Sequence, residues 1–140
     1  MGKLTANFST EEFACHDGTP VPKKLQANLL GLAVGVLQPI RERWGAPIVV
    51  LSGYRTPAWN KRVGGAKAST HMTAEGADIR CTDPADLPAF TRVVEDMIAA
   101  DALAALGGLG KYKGWLHVDT KKKPNGKLRR WTGTGVGSEP

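Results

Sequence analysis

The residues best suited to chemistry are histidines and the carboxylates near two of them. The chain contains three histidines, His16, His71 and His117; Asp78 follows His71 by seven residues, and Asp119 follows His117 by two. Two imidazoles and one carboxylate would fill three positions of a tetrahedral zinc ion and leave the fourth open for water, as catalytic zinc sites do. Composition alone favours the plainer alternative, in which these histidines only form hydrogen bonds or lie at the surface. His71, Asp78 and His117 are nevertheless candidate metal ligands.

The predicted strands would bring these residues to one place. An apolar run rich in β-branched residues predicts a strand over residues 48–51, and a second strand is predicted around residues 76–81. His71 lies in the polar loop before the second strand, and Asp78 lies on that strand. His117 falls on a later predicted strand, on which side chains two residues apart point to the same face. The sequence therefore allows all three ligands to face one cleft.

Helical signals fill much of the remaining chain. A capping-box pattern at residues 9–12 predicts a short helix ending near Cys15, and Pro22 opens a longer helix that Pro39 should break or kink near its end. Thr56-Pro57 predicts a helix through Val63 that Gly64-Gly65 stops. The last predicted helix starts at Asp83-Pro84, reaches about Leu106, and is ended by Gly107-Gly108.

Residues 109–131 alternate and turn like antiparallel strands, with a turn at Pro124-Asn125-Gly126. No repeat or long linker divides the chain. We therefore predict one α+β domain over residues 1–140, with helices packed on one face of a small, mostly antiparallel sheet and a flexible tail over residues 132–140.

Composition bounds the function. The 140-residue chain carries 19 basic and 13 acidic residues, a net charge of +6, concentrated partly near the C-terminus. This charge favours polyanionic surroundings such as nucleic acid, membrane surface or cell-wall polymer, or marks a small basic protein without such a partner. The first seven residues have no apolar signal-peptide core, which predicts synthesis in the cytoplasm. Cys15 and Cys81 are expected to be buried free thiols.

Short sequence blocks around the candidate ligands are more specific. In chain order they are Ser52-Gly53-Tyr54-Arg55-Thr56-Pro57, Ser69-Thr70-His71, Gly76-Ala77-Asp78 and His117-Val118-Asp119. These blocks resemble the zinc D-alanyl-D-alanine carboxypeptidases (M15-type peptidases), a family that includes D-Ala-D-Ala dipeptidases and phage endolysin peptidases. The resemblance runs from Asn7 to Trp131 and implies a fold like that of hedgehog and DD-peptidase domains.

The resemblance also assigns roles to residues. It places Zn²⁺ on His71, Asp78 and His117, and it implies that Arg55 binds substrate near the scissile peptide. A guanidinium suits that role because its planar fork can hold a carboxylate or a developing oxyanion. Ser69 would touch substrate or support its loop. Four aromatic residues could wall the cleft or belong to the core: Tyr54, Trp59, Tyr112 and Trp115.

Two departures from the family pattern stand out. The family usually has glycine and then alanine where this chain has Ala74 and Gly76; both residues are small, so we expect the packing of the loop to survive. Many relatives carry an acid three residues before the second zinc histidine as general base, and this chain has Gly114 there. Asp119 could replace that base or could orient His117, the role that we favour. Glu75 and Asp17 are further candidates, so the base is unassigned.

The leading functional hypothesis is a phage- or prophage-encoded zinc peptidase that cuts peptidoglycan stem or cross-bridge peptides, as carboxypeptidase or endopeptidase. We expect a monomer that acts on the cell wall after release or travels in a phage particle, without binding nucleic acid or associating stably with membranes. The main alternative is a non-catalytic zinc module that binds the cell wall or serves as a phage structural part. A basic nucleic-acid-binding protein, suggested by charge alone, is the third hypothesis.

Overall fold

Five strands form one sheet in the computed structural model, which describes residues 2–133. They are β1 (Ile48–Ser52), β2 (Gly76–Cys81), β3 (Gly108–Lys111), β4 (Leu116–Asp119) and β5 (Arg129–Thr132). Their order across the sheet is β1-β2-β4-β3-β5, and every neighbouring pair is antiparallel except β3 and β5. With the helices below, this confirms the predicted α+β fold and its mostly antiparallel sheet.

The register of the strands gives the sheet two chemically different faces. Asp78 pairs with His117, and Gly76 pairs with Asp119, so these four residues lie on one face. We call it the site face. The neighbours that alternate with them, such as Ile79 and Leu116, are apolar, buried and directed to the other face. That second face, here the core face, carries the helices.

Glycines on the site face leave space for the side chains of neighbouring residues. Gly76, Gly108 and Gly110 lie beside His117 and Asp119 in the register, and we call them the glycine row. A methyl group on Gly108 would lie 2.6 Å from Asp119 Oδ2, and one on Gly110 would lie 2.5 Å from the indole nitrogen of a tryptophan on β5. These positions need glycine because functional side chains occupy the space that a Cβ would take.

The core face carries one contiguous apolar cluster, around which pack α1 (Gln26–Leu32), α2 (Gln38–Trp44) and α4 (Leu87–Ala99). Helix α3 (Pro57–Arg62) instead contacts the loop that carries His71. Fully buried side chains from α1, α2 and α4 join those of β2, β3 and β4 in the cluster. None of the helices in residues 2–133 combines the length and apolar character that crossing a membrane requires.

Pro39 does not break its helix, the first of the two predicted outcomes, but an irregular turn directly precedes it. A π-helical turn, Ala33–Leu37, joins α1 to α2, and the N–H of Gln38 bonds to the carbonyl of Ala33. Pro39 therefore lies in the first turn of α2, where its missing N–H is least costly, and the helix continues to Trp44. Gly45, in the left-handed region with φ of 77°, ends it.

Helix α4 ends at Ala99, earlier than predicted. Asp101 takes the left-handed conformation with φ of 56°. The N–H of Asp101 bonds to the Ile98 carbonyl and the N–H of Ala102 to that of Met97, which is the Schellman pattern that terminates helices. Aspartate tolerates this conformation better than most residues, so the helix stops without the glycine that the sequence pattern requires.

The C-terminal segment also departs from the prediction. The turn at 124–126 is present, but the strands on either side of it are not hairpin partners, because β5 crosses over β4 and pairs in parallel with β3. Thr132, predicted to belong to a flexible tail, is the last residue of β5. Gly133, the next residue of the predicted tail, donates its N–H to the Lys111 carbonyl, and residues 134–140 lie outside the described residues. The extent of the domain over 1–140 remains a prediction.

The glycine row predicts a stability effect. Gly108→Ala forces a methyl group against Arg129 and Asp119, so we expect it to lower the free energy of unfolding by about 1–3 kcal/mol, the usual effect of overpacking. Gly114→Ala is the matched control, because a methyl group there meets nothing within 4 Å. Urea unfolding of both variants measures the difference, and equal stability of the two would contradict this account.

Candidate metal centre

The three predicted ligands lie together on the site face. One atom each of His71, Asp78 and His117 falls within 4.8 Å of the other two, and all three residues are buried. The strand register brings two of the three ligands together, because His117 on β4 is the direct partner of Asp78 on β2. The loop before β2 folds back to add His71, whose Nε2 lies 3.4 Å from Asp78 Oδ1.

Hydrogen bonds fix which nitrogen of each imidazole is free. His71 Nδ1 donates to the carbonyl oxygen of Gly53 at 2.7 Å, which leaves the lone pair of its Nε2 facing Asp78. His117 lies between two carboxylates, with Nε2 2.8 Å from Asp119 Oδ2 and Nδ1 3.0 Å from Asp78 Oδ1; when its proton is on Nε2, the lone pair of Nδ1 faces Asp78. When both imidazoles are neutral, as metal binding requires, two lone pairs and a carboxylate oxygen face one another, an arrangement that a cation satisfies.

The state of Asp78 agrees with a cation site. Its Oδ2 is buried and accepts no hydrogen bond from any residue in 2–133, and the nearest positive group there, Arg55 Nη2, is 3.6 Å away. Burial raises the pKa of Asp78, but hydrogen bonds with His117 and His71 outweigh burial and hold the pKa well below its usual range. Asp78 is therefore ionised, and the nitrogen and oxygen donors suit zinc in both type and number.

The loop that carries His71 is held by its own residues. Ser69 Oγ accepts a hydrogen bond from the His71 N–H at 3.2 Å and caps a short 3-10 turn, Thr70–Thr73. This contact favours the loop-supporting role for Ser69, although Ser69 also borders the cavity. Ala74 ends the turn with φ of 58°, a left-handed conformation that glycine adopts more readily than alanine. Gly76 has no substitute, since a methyl group would lie 2.3 Å from Thr70 Oγ1.

Arg55 reaches the centre from the end of β1. Its side chain is 3% exposed, and its Nη1 donates to Asn60 Oδ1 at 3.2 Å. Asn60 belongs to α3, whose start is capped by Thr56 accepting the Trp59 N–H. A methyl group on Gly65 would lie 2.0 Å from Asn60 Oδ1, so this glycine gives Asn60 its position. The predicted motif arginine therefore borders the same cavity as the three ligands.

Asp119 contacts His117 rather than lying open to solvent. Its Oδ2 accepts from His117 Nε2 and from Arg129 Nη2, and its Oδ1 accepts the N–H of Lys121 at 2.9 Å. Burial raises the pKa of Asp119, but the hydrogen bonds from His117 and Arg129 outweigh it and lower the pKa. With both oxygens engaged, Asp119 is placed to orient His117 and poorly placed to act as general base.

A cavity of about 570 Å³ opens over the centre. Its polar and charged lining comes from the ligands, from Arg55 and Asp119, and from the loop around Ser69. Its remaining wall includes residues that the sequence did not single out as site residues, namely Thr70, Lys121, Arg129 and Trp131, and one that it did consider, Tyr112. The alternation of Arg129 and Trp131 on a strand is the signal that could have placed these two side chains on one face.

Two predicted substrate contacts do not line the cavity. Tyr54 is buried in the core cluster, where burial raises its pKa. Trp115 stacks flat on Tyr112 with ring centroids 4.9 Å apart, so Tyr112 faces the cavity in its place. Trp59 packs against the core beside Arg62 and also lies outside the cavity lining. Aromatic content near a motif predicted their proximity to the site but not which ring is exposed to it.

The other candidates for the general base lie apart from the centre. Glu75 accepts the hydroxyl hydrogen of Thr73, and Asp17 accepts the N–H of Thr19 at the surface; neither borders the cavity. Gly114 lies in the exposed turn between β3 and β4 with open space around it. His16 is exposed and bonds to the Leu51 carbonyl. Among residues 2–133 that line the cavity, the acids are Asp78 and Asp119.

Comparison with known proteins agrees with this geometry. The sequence model of the peptidase M15 family matches residues 6–119, which span β1 to β4 and all three candidate ligands. No curated protein matches the chain. Strand β5, with Arg129 and Trp131, lies beyond the matched segment.

The centre predicts metal binding that depends on its three ligands. We expect the protein to bind one equivalent of Zn²⁺, and His71→Ala to weaken binding by at least about 100-fold because a direct ligand is lost. His16→Ala is the control, because His16 bonds to a backbone carbonyl away from the cavity. Isothermal titration calorimetry with elemental analysis measures both, and zinc retained at full affinity by His71→Ala would refute the site.

The same groups predict an unusual pH dependence of the metal-free protein. Burial lowers the pKa of His117, but hydrogen bonds to Asp119 and Asp78 outweigh it and raise the pKa. The stability that this group contributes is present below about pH 6.5, the unfolded value, and is lost as pH rises through the higher folded pKa. The lowered pKa values of Asp78 and Asp119 give the opposite limb, with stability lost as pH falls below about 3.9.

We therefore expect urea midpoints measured with a chelator to fall between pH 6 and pH 8.5, and to fall less in His117→Gln. Adding zinc should reverse the trend, since deprotonated ligands bind metal more tightly. The same decline in His117→Gln as in the parent chain would show that another group is responsible.

Proposed function

The chain belongs to the peptidase M15 family of metallopeptidases, and from that premise we propose that it is a zinc-dependent peptidoglycan peptidase. Its substrate would be the stem or cross-bridge peptide, cut next to a D-amino acid as a D,D-carboxypeptidase or endopeptidase. One observation carries the proposal: His71, Asp78 and His117 bring two imidazole nitrogens and an ionised carboxylate together in the lining of a cavity wide enough for a peptide.

The metal would be held by His71, Asp78 and His117. Bound there, zinc supplies Lewis-acid chemistry that polarises a scissile carbonyl and lowers the pKa of water. The protein contributes orientation of the ligands through Gly53 and Asp119, as described above.

Arg55 would bind the substrate. Its guanidinium borders the cavity and is held in place by Asn60, so it can offer paired hydrogen bonds to a terminal carboxylate or to the oxygen of the scissile carbonyl. Tyr112 and Trp131 add aromatic surface to the cavity lining, against which a peptide side chain can pack. Lys121 adds positive charge to the lining, which favours a substrate that carries a carboxylate.

The setting that we propose is a phage or a prophage. A 14.9 kDa protein with a net charge of +6 suits an enzyme that must enter the anionic mesh of a cell wall. In that setting it would act as a monomer on the wall after release, or from within a phage particle.

A second candidate is a non-catalytic zinc module that binds the cell wall or serves as a phage structural part. The engagement of Asp119 favours it, because both oxygens of the one non-ligand acid that lines the cavity among residues 2–133 already accept hydrogen bonds. Under this alternative the protein would bind zinc and wall peptides and leave them intact.

Digestion of purified muropeptides separates the two candidates. We expect mass spectrometry to detect cleavage products with the zinc-loaded protein, their loss on chelation, and their return when zinc is added back. His71→Ala should abolish cleavage because a ligand is removed, whereas His16→Ala should cleave like the parent chain. Full zinc stoichiometry with every muropeptide intact would reject the peptidase in favour of the non-catalytic module.

A further inference from the structure

Arg129 joins the metal centre from β5, outside the segment that the family model matches. We propose that Arg129 is a positioning residue: by binding Asp119 it holds that carboxylate against His117 and so keeps the Nδ1 lone pair of His117 directed at the metal. The inference rests on the metal site of the proposed function and adds to it a residue from the C-terminal strand. It does not require that the substrate be a peptidoglycan peptide.

Three contacts immobilise the Arg129 guanidinium. Its Nη2 donates to Asp119 Oδ2 at 2.5 Å, and its Nε donates to the carbonyl oxygen of Lys121 at 2.7 Å. Its Cζ lies 5.1 Å from the ring centroid of Trp131, within cation–π range. The absence of a Cβ on Gly108 leaves the space that the Asp119–Arg129 pair occupies. A side chain held on three sides is suited to orienting another group.

Asp119 requires such a partner. Its side chain is fully buried, and an ionised carboxylate is costly to bury unless a positive charge and hydrogen bonds compensate. The Lys121 N–H is a neutral donor and the His117 imidazole must be neutral to bind a metal, so Arg129 supplies the permanent positive charge in contact with Asp119. Without Arg129, the carboxylate would lose its ion-pair partner and one of its hydrogen bonds, and it would be free to move away from the His117 ring that it orients.

The next residue along β5 provides a matched control. Arg130 points to the core face and pairs with Glu95 of α4, at 3.0 Å from Nη1 to Oε1. It therefore carries the same charge on the same strand and also binds a carboxylate, but it contacts no group of the centre. Replacing it tests the general effect of losing an arginine from β5.

The experiment compares Zn²⁺ dissociation constants for Arg129→Gln, Arg129→Lys and Arg130→Gln, measured by competition with a chromophoric chelator. We expect Arg129→Gln to weaken zinc binding by about 10–100-fold, the usual effect of losing a partner that orients a ligand. Arg130→Gln should stay within about twofold of the parent chain, taken as the limit of a merely indirect effect. Arg129→Lys should recover part of the loss, since it restores the charge but not both hydrogen bonds.

A double-mutant cycle with Asp119→Asn keeps the test decisive if Arg129→Gln fails to fold, because the double variant leaves no unpaired buried charge. If Arg129 acts through Asp119, adding Arg129→Gln to Asp119→Asn changes the zinc affinity by less than about twofold. A further tenfold loss in that background, or an Arg129→Gln affinity equal to that of Arg130→Gln, overturns the proposal. These affinities are measured without substrate, so absence of muropeptide cleavage would refute the proposed function and leave this inference standing.

Discussion

Two imidazole nitrogens and a carboxylate oxygen lie close together on the site face, and the rest of the structure depends on holding them there. With both imidazoles neutral and no cation bound, the three atoms repel one another, so each side chain must be held in place by a neighbouring group. The Gly53 carbonyl holds His71, and Asp119 holds His117. Asp78 is held by its position on a central strand, opposite His117 in the register.

The two faces of the sheet have different roles, one in stability and one in holding the functional side chains. The core face carries the apolar cluster that makes the strands rigid, and that rigidity fixes distances between residues on the site face. On the site face, the glycine row leaves space for the functional side chains. The strands lose the packing that larger residues at those positions would provide. Close approach also links the N-terminal segment to the centre, because the backbone of Phe13 lies against Gly53 and accepts the N–H of Tyr54 at 2.8 Å.

Much of this arrangement could be predicted from sequence because it depends on local signals. The β-branched run at 48–51 and the pattern at 76–81 correspond to β1 and β2 within a residue, and the motif blocks identified all three clustered residues. The failures come from features that residue patterns do not show. A π turn accommodates Pro39, Asp101 replaces a glycine at a helix end, and β5 pairs with β3 through a crossover that alternation of residues cannot reveal. The sequence also could not predict that Tyr112, and not Trp115, lines the cavity, because this depends on how the two rings stack.

The separation of the ligands along the chain has a consequence for folding kinetics. His71 and Asp78 are close in sequence, but His117 lies 39 residues beyond Asp78, and the Gly53 carbonyl that orients His71 lies 18 residues before it. The centre is complete only after β1, β2 and β4 have paired and the long loops between them have closed. A metal ion that binds only the complete centre stabilises the native state more than it stabilises the folding transition state. Its main kinetic effect is therefore to slow unfolding.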